Sequence, residues 1–384
     1  MSSPLFIIVL SQFFGTSLWF TPNGVSSSLL NDAVFTLAEM GYLTSAVQVG
    51  FILGTLTIAF SGYADKYRAS RIFFVSSLFG AACNFLFIFS DGSFAFAFIC
   101  RLLTGVALAG IYPIGMKLVV SWYPLKTGHA LGWLVGMLTL GTAFPHLVQA
   151  IGGQIYWQLP IIVSSFLALI AGLLIYRLGE GEHLPIKTLT LSGEVFASFK
   201  NPAFKSSAMA YFGHCWELYA FWALVPLFLK SSLIEYQLSD AVGSLMAFLI
   251  IAIGLLGCLF AGWLSHEWGS AKTAFAMLLI SGVVCLLWPL VAETHVLLIL
   301  LTLFIWGFTV IADSAQYSAL AAQNCSKDYV GSALALMNSI GFLMTAISIS
   351  LVTYLFPLME NSVSWVMLLG PLVGILSLRK LLSA

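Results

Sequence analysis

Charge is what this chain has least of. Only 8% of its 384 residues are Asp, Glu, Lys or Arg, 15 of each sign, so the formal net charge is zero. An ordinary soluble domain carries about 25% charged residues. A neutral balance without a basic tract argues against nucleic acid as a partner. The six cysteines (Cys83, Cys100, Cys215, Cys258, Cys285 and Cys325) show no CxxC spacing and lie in or at the ends of apolar stretches. They are expected to be small buried hydrophobes, not disulfides or metal ligands. G-x-x-x-x-G-K-[ST], HExxH and GxSxG do not occur, and no stretch is long and polar enough for a soluble nucleotide-binding domain. An ATP-driven pump and the common hydrolase classes are disfavoured, and the expectation is a non-enzyme without cofactor or metal.

What the chain has in abundance is apolar length. Hydrophobic residues make up 60% of it and the mean hydropathy is +1.01. Twelve segments can be drawn, each of roughly twenty residues or more, the length that crosses a ~30 Å hydrocarbon core. They are 5–29, 40–62, 71–90, 95–121, 129–152 and 159–178, then 204–230, 241–264, 273–292, 297–321, 331–356 and 363–381. The basic residues then sort by side. Lys66, Arg68, Arg71, Lys126, Lys187, Lys200, Lys272 and Lys327 fall in loops on the side of the N-terminus, and Lys117, Arg177, Lys205, Arg379 and Lys380 at segment ends there. The opposite side holds only Lys230, and Arg101 alone lies within a span. This positive-inside asymmetry predicts a multi-pass protein with both termini cytoplasmic, expected in a bacterial inner membrane. The first segment lacks a basic n-region and carries Gln12, Thr16, Trp19 and Asn23, so a cleaved signal peptide is not expected.

Loops must be short. The longest connection divides the chain into an N-terminal six-helix bundle (1–178), a cytoplasmic linker (179–203) and a C-terminal six-helix bundle (204–384). The halves echo each other: Asp65 and Glu267, like Gly105 and Gly307, are 202 residues apart, and Lys126 and Lys327 are 201 apart. Matches at equivalent places in each half indicate a duplicated bundle, the parallel-repeat arrangement of many transporters. Gly132 and Gly136 form a GxxxG pattern, expected to mark close helix packing.

The loop after the second span reads Ser61-Gly62-Tyr63-Ala64-Asp65-Lys66-Tyr67-Arg68-Ala69-Ser70-Arg71. An acid at a helix end followed by spaced cations suits a gate, because the carboxylate can cap a neighbouring helix N-terminus. This loop resembles the G-x-x-x-D-R/K-x-G-R-R/K motif of the major facilitator superfamily, with Asp65 and Lys66 at the motif's acid and base. The second-half copy runs from Gly262 through His266, Glu267 and Gly269 to Lys272, and Arg101-Leu-Leu-Thr-Gly105 is similar to the family's R-x-x-x-G pattern in the fourth helix. The antiporter pattern G-x-x-x-G-P-x-x-G-G is not matched by Gly141 to His146, which disfavours drug/proton antiport, and the glycine-rich nitrate signature is absent. The resemblance implies an all-α membrane protein, twelve transmembrane helices in two pseudo-symmetric bundles that rock about a midplane site, working as a monomer. It also implies gating roles for Asp65, Lys66, Arg71 and Glu267.

Ionisable groups inside spans are few, and each costs at least ~2.5–3.5 kcal/mol at the bilayer centre unless paired or hydrated. His214 and Glu217, three apart on the seventh span, share a face about half-way through the bilayer. They read either as proton-exchanging groups or as a structural pair. Asp313, Gln316 and Tyr317 share a face of the tenth span, with Asp313 either a third proton carrier or a capping carboxylate. Arg101, roughly 10 Å from the outer boundary by helix rise, can bind a substrate carboxylate bidentately, snorkel, or pair with a structural acid. His146 reads as a packing residue. Trp19 and Gln12 on the first span, Tyr211, Trp216 and Tyr219 on the seventh, and Asn338 on the eleventh complete the candidate substrate contacts. The resemblance places helices one, four, seven and ten around the cavity. The leading expectation is a secondary active transporter that moves a small polar or amphipathic solute by alternating access, coupled to protons. An uncoupled facilitator of a small organic anion, a non-transporting receptor and an intramembrane enzyme are the rivals.

Overall fold

The computed structural model describes residues 3–32, 34–61, 63–123, 127–153, 156–182, 198–236, 239–325 and 330–382. Lys126, Lys187, Lys327 and most of the expected linker lie outside them. Among the described residues the regular structure is helical, without strands. In chain order the principal helices are α1 (Pro4–Thr16), α2 (Thr21–Gly24), α3 (Ser26–Asn31), α4 (Leu37–Ser61), α5 (Ala69–Leu86), α6 (Phe94–Ala109), α7 (Tyr112–Trp122), α8 (Thr127–Val148) and α9 (Leu159–Leu178). Then follow α10 (Pro202–Ser232), α11 (Asp240–Ala252), α12 (Gly254–Trp268), α13 (Ser270–Val291), α14 (Val296–Thr309), α15 (Ser314–Gln323), α16 (Val330–Met359) and α17 (Ser364–Leu382).

Ten helical stretches among the described residues are long and apolar enough to cross a membrane, and one of them, Ala333–Leu382, holds both α16 and α17. Pro4–Thr16 is a shorter apolar helix that α2 and α3 prolong. The set is consistent with twelve crossings. Apolar side chains such as Val283, Leu286, Leu287 and Leu290 on α13 stand exposed, as a lipid-facing helix requires. The apolar stretch of α10 is 78% buried, so most of its surface meets protein.

By contacts the chain forms two compact units. Unit 1 is Met1–Thr188 with Leu238–Ala252, and unit 2 is Leu189–Gln237 with Ile253–Ala384. Helix α11, in the second half by sequence, packs on α8 and groups with the first unit.

Several expected spans are broken helices, and the breaks repeat. The fourth span stops at Gly110–Ile111, where Gly110 N–H donates to Ala107 O (2.9 Å) and Ile111 N–H to Leu108 O (3.0 Å). Pro113 follows at the start of α7, with no N–H to continue the ladder. The tenth span breaks at 310–313, where Ala312 N–H donates to Thr309 O (3.2 Å) and Ser314 N–H to Ile311 O (3.1 Å). Gly110 and Ala312 are 202 residues apart, the offset of the Gly105/Gly307 match. The duplication therefore extends to where each half unwinds, and irregular backbone inside a membrane is tolerated where protein or a cavity surrounds it.

Close packing concentrates elsewhere than the GxxxG pattern suggests. No described atom lies within 4 Å of where a Cβ on Gly132 would stand, so among the described residues Gly132 makes no close approach of the kind the pattern suggests. The intimate pair is α4 with α6, where a Cβ on Gly50 would run into the Leu102 carbonyl and one on Gly105 into that of Val47. In unit 2 Gly257 meets the Phe308 carbonyl between α12 and α14 in the same manner, and Gly213 meets Gly370 between α10 and α17. Gly105 of the R-x-x-x-G pattern is thus needed because backbone meets backbone there. Gly50→Ala is expected to lower stability by about 1–3 kcal/mol through overpacking, while Gly132→Ala stays within about 0.5 kcal/mol. Thermal unfolding of both variants in detergent checks the contrast.

Candidate functional site

The polar residues inside the spans gather into small buried groups within each unit. In unit 1 the origin is Pro22. It has no N–H, so the Leu18 carbonyl lacks its i+4 donor, and residues 17–20 pass through a turn between α1 and α2. Arg101 from α6 occupies the vacancy. Its Nη2 donates to Leu18 O (3.2 Å) and Trp19 O (2.6 Å), and its Nη1 to Asn84 Oδ1 (2.9 Å) and Thr21 Oγ1 (3.2 Å). Thr21 Oγ1 donates to Asn84 Oδ1 (2.6 Å), and Asn84 Nδ2 donates to Ser165 Oγ (3.0 Å) on α9. Arg101 is fully buried and none of these partners is acidic. The guanidinium neither snorkels nor meets a structural carboxylate; it ties the broken first span to α5 and α6.

The rest of the first span carries further buried polar groups. Trp19 Nε1 donates to Gln48 Oε1 (3.3 Å) on α4, and Thr44 Oγ1 donates to Asn23 Oδ1 (3.0 Å). Gln12 is 0% exposed, yet neither its amide oxygen nor its amide nitrogen has a hydrogen-bond partner among the described residues. His146 is buried, and its Nε2 has no partner among the described residues.

In unit 2 the sequence neighbours His214 and Glu217 turn to different helices. His214 Nδ1 lies 2.7 Å from Asp313 Oδ1, both side chains being 1% exposed. Tyr317 OH donates to Asp313 Oδ2 (2.7 Å), one turn along α15. The imidazole also stacks on Tyr211, with ring centroids 6.0 Å apart, and tilts against Tyr317 at 5.4 Å. Asp313 itself sits at the helix break and makes no side-chain cap hydrogen bond there.

Glu217 is held by three neutral donors instead. Trp306 Nε1 (2.7 Å) and Cys285 Sγ (3.3 Å) donate to Oε1, and Ser281 Oγ (2.9 Å) to Oε2. Trp306 is fixed by Phe221 and Phe228, at centroid distances of 4.7 and 5.8 Å. Glu217 and His214 are therefore not a pair, because α13 and α14 supply Glu217 with its partners and α15 supplies those of His214.

The other candidates scatter. Gln316 points away from Asp313 and donates to Ala261 O (3.5 Å) on α12, and Trp216, half-buried, donates to Val366 O (2.9 Å) on α17. Tyr219 packs on Trp222 (5.1 Å) and Phe342 (5.5 Å), and Asn338 is half-buried on α16. Lys66, Arg71 and Glu267 are exposed, and the side chain of Asp65 lies outside what is described. The helix-capping acid at this loop is Glu180, which accepts from Ser70 N–H (2.8 Å) and Oγ (2.7 Å) at the start of α5 and lies 3.8 Å from Arg68. Sequence reasoning misses Asn84, Thr21, Gln48, Ser281, Cys285 and Trp306. Their only signal is a polar group within an apolar span, which many serines and threonines here share.

Comparison with known proteins places this geometry. The profile of the Major Facilitator Superfamily matches residues 5–378, and the chain belongs to that family. It is a membrane transporter with the all-helical fold of the family, in keeping with the Asp65-Lys66 loop and the Arg101 to Gly105 pattern. Among solved structures, the crystal structure of a bacterial homologue of the human lysosomal transporter Spinster, inward-facing and unoccupied, superposes with a TM-score of 0.72. Sequence identity is 14%, and the alignment covers 99% of this chain and 94% of that one. No curated protein matches.

Proposed function

We propose that this transporter is a secondary active carrier that moves a small polar or amphipathic solute by alternating access, driven by protons. The observation that carries this reading is the buried contact between His214 and Asp313, 2.7 Å apart at a helix break. The two facing atoms lie at ion-pair distance without forming a hydrogen bond, and an acid and an imidazole enclosed by protein change the net charge of the site when a proton arrives or leaves. The hydrogen bond from Tyr317 and the i→i+3 turns at 310–313 connect that charge to the backbone at the break, the kind of discontinuous helix around which transporters build their sites. Glu217 belongs to the same unit as a second protonatable group, more firmly tethered.

The solute contacts we assign in unit 1 are Gln12 and Trp19. A fully buried amide with no partner at either end is rarely left so in a native protein, and a polar solute or water satisfies it. In unit 2 Tyr211 and Trp216 are the corresponding candidates. Arg101 serves as a brace in this reading and contributes no charge to the solute site. The protein works as a monomer in a bacterial inner membrane, with both termini cytoplasmic.

The test is proton movement in proteoliposomes loaded with a pH dye, screened with pooled organic anions, amino acids and organic cations. A solute-evoked pH change is the expected result. Labelled solute entering while the internal pH stays flat would make the protein an uncoupled facilitator.

A further inference from the structure

A basic concavity lies apart from these buried polar groups. It is a cavity of about 900 Å³ at the end of unit 2 where α10 begins and α17 finishes. Three lysines line it: Lys200 on the Ser198–Lys200 turn, Lys205 on α10 and Lys380 on α17. Ser206 and Ser377 add hydroxyls, and Phe199, Met209 and Leu376 add apolar wall; among the described residues no carboxylate lines it.

The walls are firmly set. Met209 lies beside Lys205 at i+4 and beside Ser206 at i+3 on α10, and Leu376 and Lys380 are i and i+4 on α17. The two helices run side by side in opposite directions, held by the close approach of Gly213 and Gly370 and by the core residues Phe204, Ala208 and Leu378. Phe199 is fixed edge-on against Phe204, with centroids 5.1 Å apart. Lys200 and Lys205 are exposed, and among the described residues neither makes an ion pair.

Lys200 and Lys205 line one cavity with no ion-pair partner among the described residues, and an anion taken into the groove would be attracted by both. The apolar wall restricts the kind of anion. A small ion uses the lysines and leaves Phe199, Met209 and Leu376 wet, whereas a molecule with a phosphate head and hydrocarbon tails uses both surfaces. The position agrees, because the groove lies where two membrane-crossing helices end. Basic pockets between helices at that level suit anionic headgroups. The geometry points to a binding site for the phosphate-bearing headgroup of an anionic phospholipid, clamped by Lys200 and Lys205 beside Lys380, with its acyl chains on the Met209 and Leu376 wall.

The experiment uses the full chain purified in a neutral detergent and native mass spectrometry with added phosphatidylglycerol, phosphatidylcholine or inorganic phosphate. Wild type should retain phosphatidylglycerol over phosphatidylcholine. Lys200→Gln/Lys205→Gln should weaken that retention roughly tenfold, since each lysine near an anionic surface contributes severalfold. Lys200→Arg/Lys205→Arg should keep it. The lysines are exposed, and an unchanged melting temperature of both variants separates lost binding from lost folding. Equal retention of the two lipids, or a glutamine variant that still holds phosphatidylglycerol, would overturn the site. Inorganic phosphate bound at the same lysines, with no preference between the lipids, would overturn the lipid as the source of the phosphate.

Discussion

Arg101→Lys should damage this protein more than Arg101→Leu, although lysine keeps the charge. Arginine makes four hydrogen bonds from two nitrogens of one planar fork, two to the carbonyls of Leu18 and Trp19 and two to the side chains of Asn84 and Thr21. An ammonium donates from a single point at the end of a shorter stem and cannot span both pairs. Hydrogen bonds to charged groups are worth about 1.5–3 kcal/mol each, so the loss of two, with the cation still buried, costs about 3–6 kcal/mol. Leucine loses all four bonds but also relieves the desolvation of a cation that has no acidic partner, a term of several kcal/mol. The single Thr21 hydroxyl proton can go to Asn84 Oδ1 or to Leu18 O but not to both, so the Trp19 carbonyl and one of these two are left bare, at about 1–3 kcal/mol each, against which the relieved desolvation is set. Melting temperatures in detergent should therefore be highest for wild type, intermediate for Arg101→Leu and lowest for Arg101→Lys. A lysine variant as stable as wild type would mean that positive charge matters there and fork geometry does not.

The same residues show what a sequence can and cannot disclose. Apolar runs and the placement of lysines reveal the membrane class and the duplicated halves because both are one-dimensional signals, set by bilayer thickness and by which side a loop occupies. Gly105 is visible as a motif residue, yet its purpose depends on Val47, 58 positions earlier. The helix break at Pro113 has a local cause, whereas the one at 310–313 has no proline and is hidden within an unbroken apolar span. At the candidate site, i and i+3 spacing rightly places His214 and Glu217 close on one helix but suggests a pairing that tertiary partners replace. An isolated carboxyl takes the donors its neighbours offer, and Ser281, Cys285 and Trp306 stand on helices more than sixty residues away in sequence. Tyr317 and Asp313, by contrast, are one turn apart, and their hydrogen bond follows directly from the i, i+4 rule.

Asp313→Asn should reduce solute-evoked proton movement to the level of protein-free vesicles while leaving exchange of labelled solute for unlabelled solute in place. Asparagine is nearly isosteric and still accepts from Tyr317 and faces His214, so the packing at the break survives, but it carries no exchangeable acidic proton. Glu217→Gln is expected to be milder. Both oxygens of Glu217 are engaged by donors from α13 and α14, so a proton can enter only if one of those bonds yields. Oδ1 of Asp313, in contrast, accepts no hydrogen bond among the described residues and faces the imidazole. The substituted glutamine keeps an amide oxygen for Trp306 and turns its amide nitrogen to Ser281, whose hydroxyl then accepts, at a cost of about 1 kcal/mol in stability. Coupling should remain. Measuring dye-reported pH change and counterflow on both variants decides the assignment. If Glu217→Gln abolishes coupling and Asp313→Asn spares it, the proton is carried by Glu217, and the His214–Asp313 contact is a structural clasp across the broken helix. Loss of counterflow together with coupling in Asp313→Asn would place Asp313 at the solute, because a group that carries only the proton is not needed for an exchange in which the proton never leaves.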